Sequence, residues 1–333
     1  MAWGRQSRVV IRTPESQSGN TWVYKEVDVS SLGLEYEVTR SRIFNDTEAK
    51  VTIYNANKDF INKLITFGSN LMIYAGYEDE GGPGLIYQGN IISCVYTPTG
   101  TDSVTVIESI PMRSLDKPFT STPIVLNFPP GTNADKVIKA IGTALGLVPI
   151  GLENAASVTF PQGWTYVGPV AFAIERVGRD IMTKGLGLYI DLAQLVVYST
   201  VSDSEYSIAY LSFDSGLLEI RDTTNYLGAA RGRIDEMGKT KKKKVKVAGR
   251  KKKKVIMTTE ATKDVMAELE KTFTNLAKTY TAKTLMMPKV TPNSLVHVDT
   301  PDVSGLFTVD RLDISGGTTP DSSFTMTMSL VEA

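Results

Sequence analysis

Few side chains in this sequence have the type and spacing that catalysis or metal binding requires. The single histidine, His297, lies in the strand-like segment SLVHVDT, where no second imidazole or cysteine is near enough to complete a zinc site. A catalytic triad would need His297 as its base, but no serine occurs in a recognisable nucleophile motif. The single cysteine, Cys94, cannot form an internal disulfide, and its apolar neighbours in GNIISCVYTP predict burial.

Two segments match ligand-binding motifs only in part. GRIDEMGKT, residues 232–240, lacks the spacing of a P-loop, because the position five residues before Gly238 is Arg233. YEDEGG lacks the alternating carboxylates of an EF-hand. Glycoside hydrolysis needs two carboxylates but no sequence motif, and no residue here indicates such a pair. We therefore expect no catalytic residue, no metal and no cofactor, and we interpret the chain as a structural or binding protein.

The most unusual charge pattern is KTKKKKVKVAGRKKKK, residues 239–254, which holds 11 Lys or Arg and no acidic residue. The whole chain has 36 basic and 36 acidic residues, so the remainder has 25 basic against 36 acidic and a net charge of −11. Ten side chains of this lysine-rich run are candidates for an electrostatic contact: Lys241, Lys242, Lys243, Lys244, Lys246, Arg250, Lys251, Lys252, Lys253 and Lys254.

Three interpretations of the lysine-rich run remain open. Like charges repel, so the run could be a solvated, flexible loop. It could instead dock onto an acidic neighbour, including a second copy of this chain, because the rest of the chain is acidic. It could also face a channel that DNA traverses and contact phosphates without sequence preference. Aromatic residues, which would indicate base stacking, are absent from the run.

No segment has the pattern of a secretory signal or a membrane span. The first residues, MAWGRQSRVVIRTPES, contain no apolar core, and no run reaches the roughly 18 apolar residues of a membrane helix. The most apolar stretch, GLGLYIDLAQLVVYS, is interrupted by Asp191 and Gln194. We expect a protein that is made in a cytoplasm and does not span a membrane.

Hydrophobic periodicity divides the chain into three regions, 1–115, 116–205 and 206–333. In the first, short alternating runs such as KVTIYN and NLMIYAGYE are separated by Gly, Asn and Pro clusters, which predicts an antiparallel barrel or sandwich. YEDEGGPGLIYQG predicts a hairpin with an acidic, Gly-rich tip. In the last region, SSFTMTMSLVE places Phe324, Met326, Met328 and Leu330 on one face of a half-buried strand.

Helices are predicted in the middle and last regions. TNADKVIKAIGTALG has Thr132 or Asn133 as its N-cap and ends at Gly146, and GPVAFAIERVGRDIMTKG runs from Pro169 to Gly185. With the strands of GLYIDLAQLVVYS they predict a small α/β insert. A third amphipathic helix, at about 260–280, carries an apolar stripe that includes Tyr280. The apolar faces of the first two helices hold Val137, Ile138, Ile141, Leu145, Ala173, Ile174, Val177 and Ile181.

The order of these elements resembles the central hub proteins of phage tail baseplates, including the late-control D-type hubs of contractile tails. In the first region the resemblance lies in AKVTIYNANKDFINKL, then IYAGY and LIYQGNI. In the last region it lies in a SGLF turn, a TVDRLDISGG strand and the final alternating strand. The middle region resembles the insert between the two barrels of the family. The lysine-rich run and the helix after it depart from the family pattern.

The resemblance implies an α+β, mainly β fold, with two tube-protein-like antiparallel β-barrels separated by the insert. It implies a homotrimer whose six barrels adapt a six-fold tail tube to a three-fold spike, without enzymatic activity. The implied partners are a second and third copy of the chain, the tail tube protein and the spike protein, with wedge or tape-measure proteins as further partners and DNA passing through the lumen. The implied location is the baseplate of the virion tail, after synthesis in the host cytoplasm.

A different class of function stays open beside the hub, namely a nucleic-acid-binding protein that uses the 239–254 arm. Phosphate contacts release counterions, so such a protein would lose affinity steeply as salt increases. A hub assembled through β-structure would keep its oligomeric state at the same salt concentration.

Overall fold

The computed structural model describes residues 4–18, 21–42, 46–111, 123–199, 209–224 and 278–333. The lysine-rich run and nearly all of the helix predicted at about 260–280 lie outside the described residues. The predicted end of that helix is wrong, because Thr279 and Tyr280 begin a β-strand. The ring of Tyr280 contacts that of Phe307, with centroids 5.2 Å apart, and its burial alternates with that of its neighbours as in a strand.

Most of the structure is β-strand, and three stretches of chain supply its elements. Residues 4–111 contain β1 (Arg5–Ser18), β2 (Thr21–Asp28), β3 (Leu34–Ser41), β4 (Glu48–Tyr54), α1 (Lys58–Leu64), β5 (Asn70–Tyr77), a 3₁₀ turn (Glu78–Glu80), β6 (Gly84–Thr99) and β7 (Asp102–Pro111). Residues 123–199, called the insert below, contain β8 (Pro123–Phe128), β9 (Thr132–Asn133), α2 (Ala134–Leu145), β10 (Val148–Ile150), α3 (Leu152–Ala155), β11 (Thr159–Phe160), β12 (Trp164–Pro169), α4 (Val170–Met182), β13 (Leu186–Asp191) and β14 (Gln194–Ser199). The remaining described residues contain β15 (Ala209–Leu211), β16 (Leu217–Asp222), β17 (Thr279–Leu285), β18 (Leu295–Asp299), β19 (Ser304–Gly317) and β20 (Thr325–Glu332).

One large sheet, called the main sheet, joins both ends of the chain. Its hydrogen-bonded order is β16-β17-β20-β19-β3-β4-β7-β6-β5-β1-β2, and β18 pairs with both β19 and β15. All of these pairs are antiparallel except β15 with β18. The β3–β19 pair joins the first and last regions directly. Among the described strands the order has two ends, at β16 and at β2, so the two closed barrels stay a prediction.

The apolar residues form two separate cores. The main core draws buried side chains from β1, β3–β7, β15–β20 and α1, so the first and last regions share it. The insert core is built by α2 and α4, which pack against the sheet of β13, β14 and β10 and against the aromatic residues of β8 and β12. The fold is thus mainly β, with a large antiparallel sheet and a small α/β unit that has its own core.

Several local predictions are confirmed. The hairpin of β5 and β6 carries its 3₁₀ turn at the acidic tip, where Gly81 and Gly82 take positive φ angles. Helix α2 ends at Gly146 in the left-handed conformation (φ 70°), as the C-terminal glycine predicts. The predicted apolar faces of α2 and α4 are buried, and so are Phe324, Met326, Met328 and Leu330 at β20.

The predicted burial of Cys94 is wrong, because its side chain is exposed. Strand β6 pairs with β5 only as far as Asn90, and beyond that residue it pairs with β7 alone. Cys94 therefore lies at an edge of the main sheet, where β6 has β7 as its one neighbouring strand. The exposed side chains of Ile92 and Val95 lie in the same part of β6.

Candidate interaction surfaces

His297 has aromatic rather than metal-binding neighbours. Its ring stacks on that of Tyr210, with centroids 5.1 Å apart and planes 9° apart. The Tyr210 hydroxyl donates a hydrogen bond to Asp299 Oδ2 at 2.5 Å, and this bond raises the pKa of Tyr210. Within the described residues no group of three or more His, Cys, Asp or Glu side chains is placed to hold a metal ion. Tyr210 of β15, His297 of β18 and Leu306 of β19 are neighbours across the three strands, and Leu306 is exposed. They form a row at the surface.

The described part of the chain contains no helix that could cross a membrane. None of the helices found there combines the length and the apolar composition that a bilayer span requires.

A buried ion pair connects the insert to the main sheet. Arg40, on the core-facing side of β3, donates from Nε to Asp191 Oδ1 at 2.9 Å and from Nη2 to Asp191 Oδ2 at 2.6 Å. The two side chains are 1% and 8% exposed. Arg40 Nη1 is also buried and has no hydrogen-bond partner among the described residues. This two-bond geometry fixes the relative position of the two groups, as paired guanidinium and carboxylate groups do.

Tyrosines of the insert make further polar contacts to the main sheet and its loops. The Tyr189 hydroxyl donates to the carbonyl of Pro292 at 2.8 Å, and the Tyr189 ring meets that of Tyr198 edge-on at 5.7 Å. The Arg42 guanidinium lies 5.4 Å from the centre of the Tyr198 ring. Burial raises the pKa of Tyr198, and the nearby Arg42 charge opposes that shift. The contact between the insert and the main sheet is therefore rich in directional polar interactions.

The hairpin turn that follows Asp191 has an uncommon backbone. Asp191 and Gln194 face each other as the last pair of β13 and β14, and the two residues between them have positive φ angles, 45° for Leu192 and 63° for Ala193. Two-residue turns of this kind usually contain Asn and Gly, because a Cβ atom disfavours the left-handed conformation. The sequence thus places a strained turn directly beside the buried carboxylate.

An exposed apolar pair lies on the two-stranded ribbon of the insert. Val125 of β8 and Val167 of β12 face each other in the ribbon, and they are 71% and 69% exposed. The side chains that alternate with them are more buried, and Trp164, Phe128 and Tyr166 pack toward the insert core. The ribbon therefore has one apolar face in the core and one uncharged face in solvent.

A polar groove lies where the first strand meets the loop before β20. Its volume is about 620 Å³, and Arg5, Arg8, Asp28 and Thr318 are among the residues that line it. Arg8 is paired with Asp28 at 2.9 Å, whereas Arg5 donates to the carbonyl of Ser322 at 3.3 Å. The charges in the groove are thus partly neutralised within the chain.

The solvent face of the main sheet is hydroxylic and acidic across β17, β20, β19, β3, β4 and β7. Register and burial place the following side chains on it: Thr281, Lys283, Thr325, Thr327, Ser329, Asp313, Ser315, Glu35, Glu37, Thr39, Glu48, Lys50, Thr52 and Glu108. Acidic residues outnumber lysines in this set. Arg311 of β19 also lies on this face, where it pairs with Asp313 at 3.0 Å. The remaining excess of acidic residues is unfavourable for contact with phosphate groups.

The candidate contact residues predicted from sequence, Lys241–Lys244, Lys246 and Arg250–Lys254, all lie outside the described residues. Their role stays a prediction. The Arg40–Asp191 pair was not predicted from the sequence, although Asp191 interrupts the most apolar stretch of the chain. A second signal was available in LEYEVTR, where the two-residue period of Leu34, Tyr36 and Val38 places Arg40 in the core-facing row.

Comparison with known proteins gives matches at the level of structure only. No family model matches the sequence, and no curated protein matches it. The 43 kDa tail protein of prophage MuSo2 from Shewanella oneidensis has a TM-score of 0.54 at 12% identity, with 98% of each chain covered.

Two further structures are similar. The tail protein from Neisseria meningitidis MC58 has a TM-score of 0.55 at 11% identity, covering 99% of this chain and 97% of that one. A chain of the Francisella PdpA–VgrG complex has a TM-score of 0.53 at 10% identity, covering 98% of this chain and 58% of that chain. The chain therefore has the fold of these two tail proteins over nearly its whole length.

Proposed function

We propose that this protein is the structural hub of a phage tail baseplate. In this proposal three copies assemble, and each supplies two barrel-like β-units, so that six units match a six-fold tail tube while the trimer matches a three-fold spike. The tail tube and spike proteins are its partners in the virion tail. No residue is assigned a catalytic role.

The observation that carries the proposal is the structural similarity to two tail proteins, one of them from a prophage, with TM-scores of 0.54 and 0.55 over 98% and 99% of this chain. The arrangement of the main sheet gives further support. Seven of its strands come from the first region and the others from the last, and the two sets meet side by side at the β3–β19 pair. A trimer imitates a hexagon if each chain supplies two similar units, and we propose that these two sets of strands are those units.

The oligomeric state of the purified chain tests the proposal. Light scattering should give a mass of about 109 kDa, three times the 36.4 kDa of one chain, and electron microscopy should show three-fold rings. The mass should persist when salt is increased. A chain that remains monomeric at high protein concentration would contradict the hub.

The lysine-rich run favours a second candidate function, which is binding of nucleic acid through phosphate contacts. A variant in which residues 241–254 are replaced by Gly and Ser separates the two functions. The hub predicts an unchanged trimer mass for this variant. The nucleic-acid function predicts that the parent chain binds DNA of any sequence, loses that affinity steeply with salt, and loses it in the variant.

A further inference from the structure

The contact between the insert and the main sheet contains buried charged and hydroxyl groups beside the apolar Val196 of β14. The main core and the insert core are separate clusters. Leu188, Ile190 and Leu195 point into the insert core, while Tyr189 and Asp191 alternate with them on the opposite side of the same small sheet and are buried there. Both sides of β13 are therefore buried, but only one side is packed with hydrocarbon from the helices.

The Arg40–Asp191 pair is poorly suited to increase stability. Both charges are removed from water, which costs several kcal/mol for each ion, and only good geometry with full hydrogen bonding offsets that cost. Here Arg40 Nη1 lacks a partner among the described residues. An apolar pair of similar volume at these positions would carry no such cost. The pair is nevertheless highly directional, because two separate donors of one guanidinium meet two oxygens of one carboxylate.

Contacts near this pair have the same directional character. The Tyr189 hydroxyl reaches the carbonyl of Pro292, and Arg42, held by Asp310 at 2.8 Å, lies against Tyr198. A rotation of the insert would leave Arg40 buried and uncompensated. Apolar side chains at the same positions would tolerate such a rotation, because contact between hydrocarbon surfaces is not directional.

We propose that the buried Arg40–Asp191 pair fixes the orientation of the insert on the main sheet and contributes little or nothing to net stability. Arg40 and Asp191 are therefore positioning residues for the insert. The polar contacts of Tyr189 and Tyr198 limit movement around it. The insert is thereby presented in a single orientation, together with its exposed Val125–Val167 face.

The chain carries a convenient site for testing the proposal, since its only cysteine, Cys94, is exposed on the main sheet. A second cysteine is introduced on the insert by Ala144→Cys, at an exposed position of α2. Spin labels at the two sites report the distance between the main sheet and the insert by double electron–electron resonance. The labelled protein with the native pair should give one narrow distance distribution.

Three changes are then compared in the labelled protein: Arg40→Met alone, Asp191→Leu alone, and both together. Each single change leaves one buried charge without its partner and should lower the thermal midpoint by roughly 5–10 °C. The double change should recover most of that loss, yet its distance distribution should be broad or shifted. A double variant with the native narrow distribution would overturn the proposal, and so would one that melts as early as the single variants.

Arg40→Lys provides a test that does not depend on the double variant folding. Lysine keeps the charge but cannot make two parallel hydrogen bonds to one carboxylate. The expected result is a folded protein with a broadened distance distribution. A distribution identical to that of the native pair would show that the two-bond geometry does not set the orientation.

Discussion

Arg40 and Cys94 occupy environments opposite to those that their side-chain types usually take. Arg40 is buried because the two-residue period of β3 turns it toward the core, where Asp191 of the insert meets it. Cys94 is exposed because it lies at an edge of the main sheet, where β6 pairs with β7 alone. In both cases the neighbouring strands, which are distant in sequence, decide the burial.

Exposure of Cys94 predicts a measurable thiol reactivity. Native protein should react with Ellman's reagent at one thiol per chain, because this is the only cysteine and its side chain is accessible. Partial burial raises the pKa of the Cys94 thiol, so the thiolate fraction at mildly alkaline pH is lower than for free cysteine. The reaction of Cys94 should be slower than that of glutathione. The pH at which its rate is half-maximal should be higher than for a free cysteine, because the pKa of the thiol is raised.

The control for this prediction is the same protein in concentrated urea, where the thiol should regain an ordinary pH profile. A native protein that does not react until it is unfolded would show that Cys94 is inaccessible.

The alternation of β20 predicts opposite sensitivities for neighbouring residues. Met328 is fully buried in the main core, whereas Thr327 lies on the solvent face. Met328→Ala should lower the free energy of unfolding by about 2–5 kcal/mol, because it removes buried methylenes and leaves a cavity. Thr327→Ala should change it by no more than about 0.5 kcal/mol. Urea denaturation of both variants checks the difference, and equal effects would mean that the strand has no distinct inner face.

At the scale of elements, the predictions succeeded where the residues of one segment determine its secondary structure by their own hydrophobic period. Helices α2 and α4 show a 3.6-residue period with a glycine near each end, and β20 shows a two-residue period, so all three were located from sequence. The end of the helix predicted at about 260–280 was wrong, because Tyr280 belongs equally well to an apolar stripe and to the buried row of β17. The pairing of β17 with β16 and β20 decides that question, and periodicity does not encode pairing.

The candidate contacts illustrate the same limit. Asp191 was noticed only as an interruption of an apolar stretch, since its partner Arg40 is 151 residues away in the sequence. The composition of the lysine-rich run is conspicuous, but its residues do not indicate which molecule they contact.

The β13–β14 turn offers a stabilising substitution. Leu192 has a φ angle of 45° and does not belong to the insert core, so its side chain contributes little there to offset the backbone strain. Leu192→Asn should raise the free energy of unfolding by about 1 kcal/mol, because Asn tolerates the left-handed conformation and is preferred in such turns.

A matched control uses the same substitution at Leu218, which is exposed on β16. Leu218 is the extra residue at a register shift of β16, but its φ angle is not positive. Asn relieves no left-handed strain there and is less favourable in a strand, so Leu218→Asn should destabilise the protein slightly. Thermal unfolding compares the two variants. A destabilising effect at position 192 would mean that the turn conformation is supported by contacts of the leucine side chain.

At the scale of the whole molecule, the two ends of the chain form one structural unit and the middle forms another. The main core takes its buried residues from both the first and the last region, and β3 finds its antiparallel partner β19 more than 250 residues later. The insert, by contrast, holds a complete core between Ile124 and Val197. The two units meet through the polar contacts around Arg40.

This division predicts different behaviour for two fragments of the chain. A fragment of residues 123–199 should fold, because all members of its core lie within it, although with the modest stability expected below about 80 residues. A fragment of residues 4–111 should not fold cooperatively, since it loses the core side chains of β17, β19 and β20 and leaves the backbone groups of β3 unpaired. Circular dichroism melting and amide dispersion in NMR spectra measure both outcomes. Coexpression of residues 4–111 with residues 209–333 should restore a folded complex, whereas cooperative folding of residues 4–111 alone would mean that the first region is an independent domain.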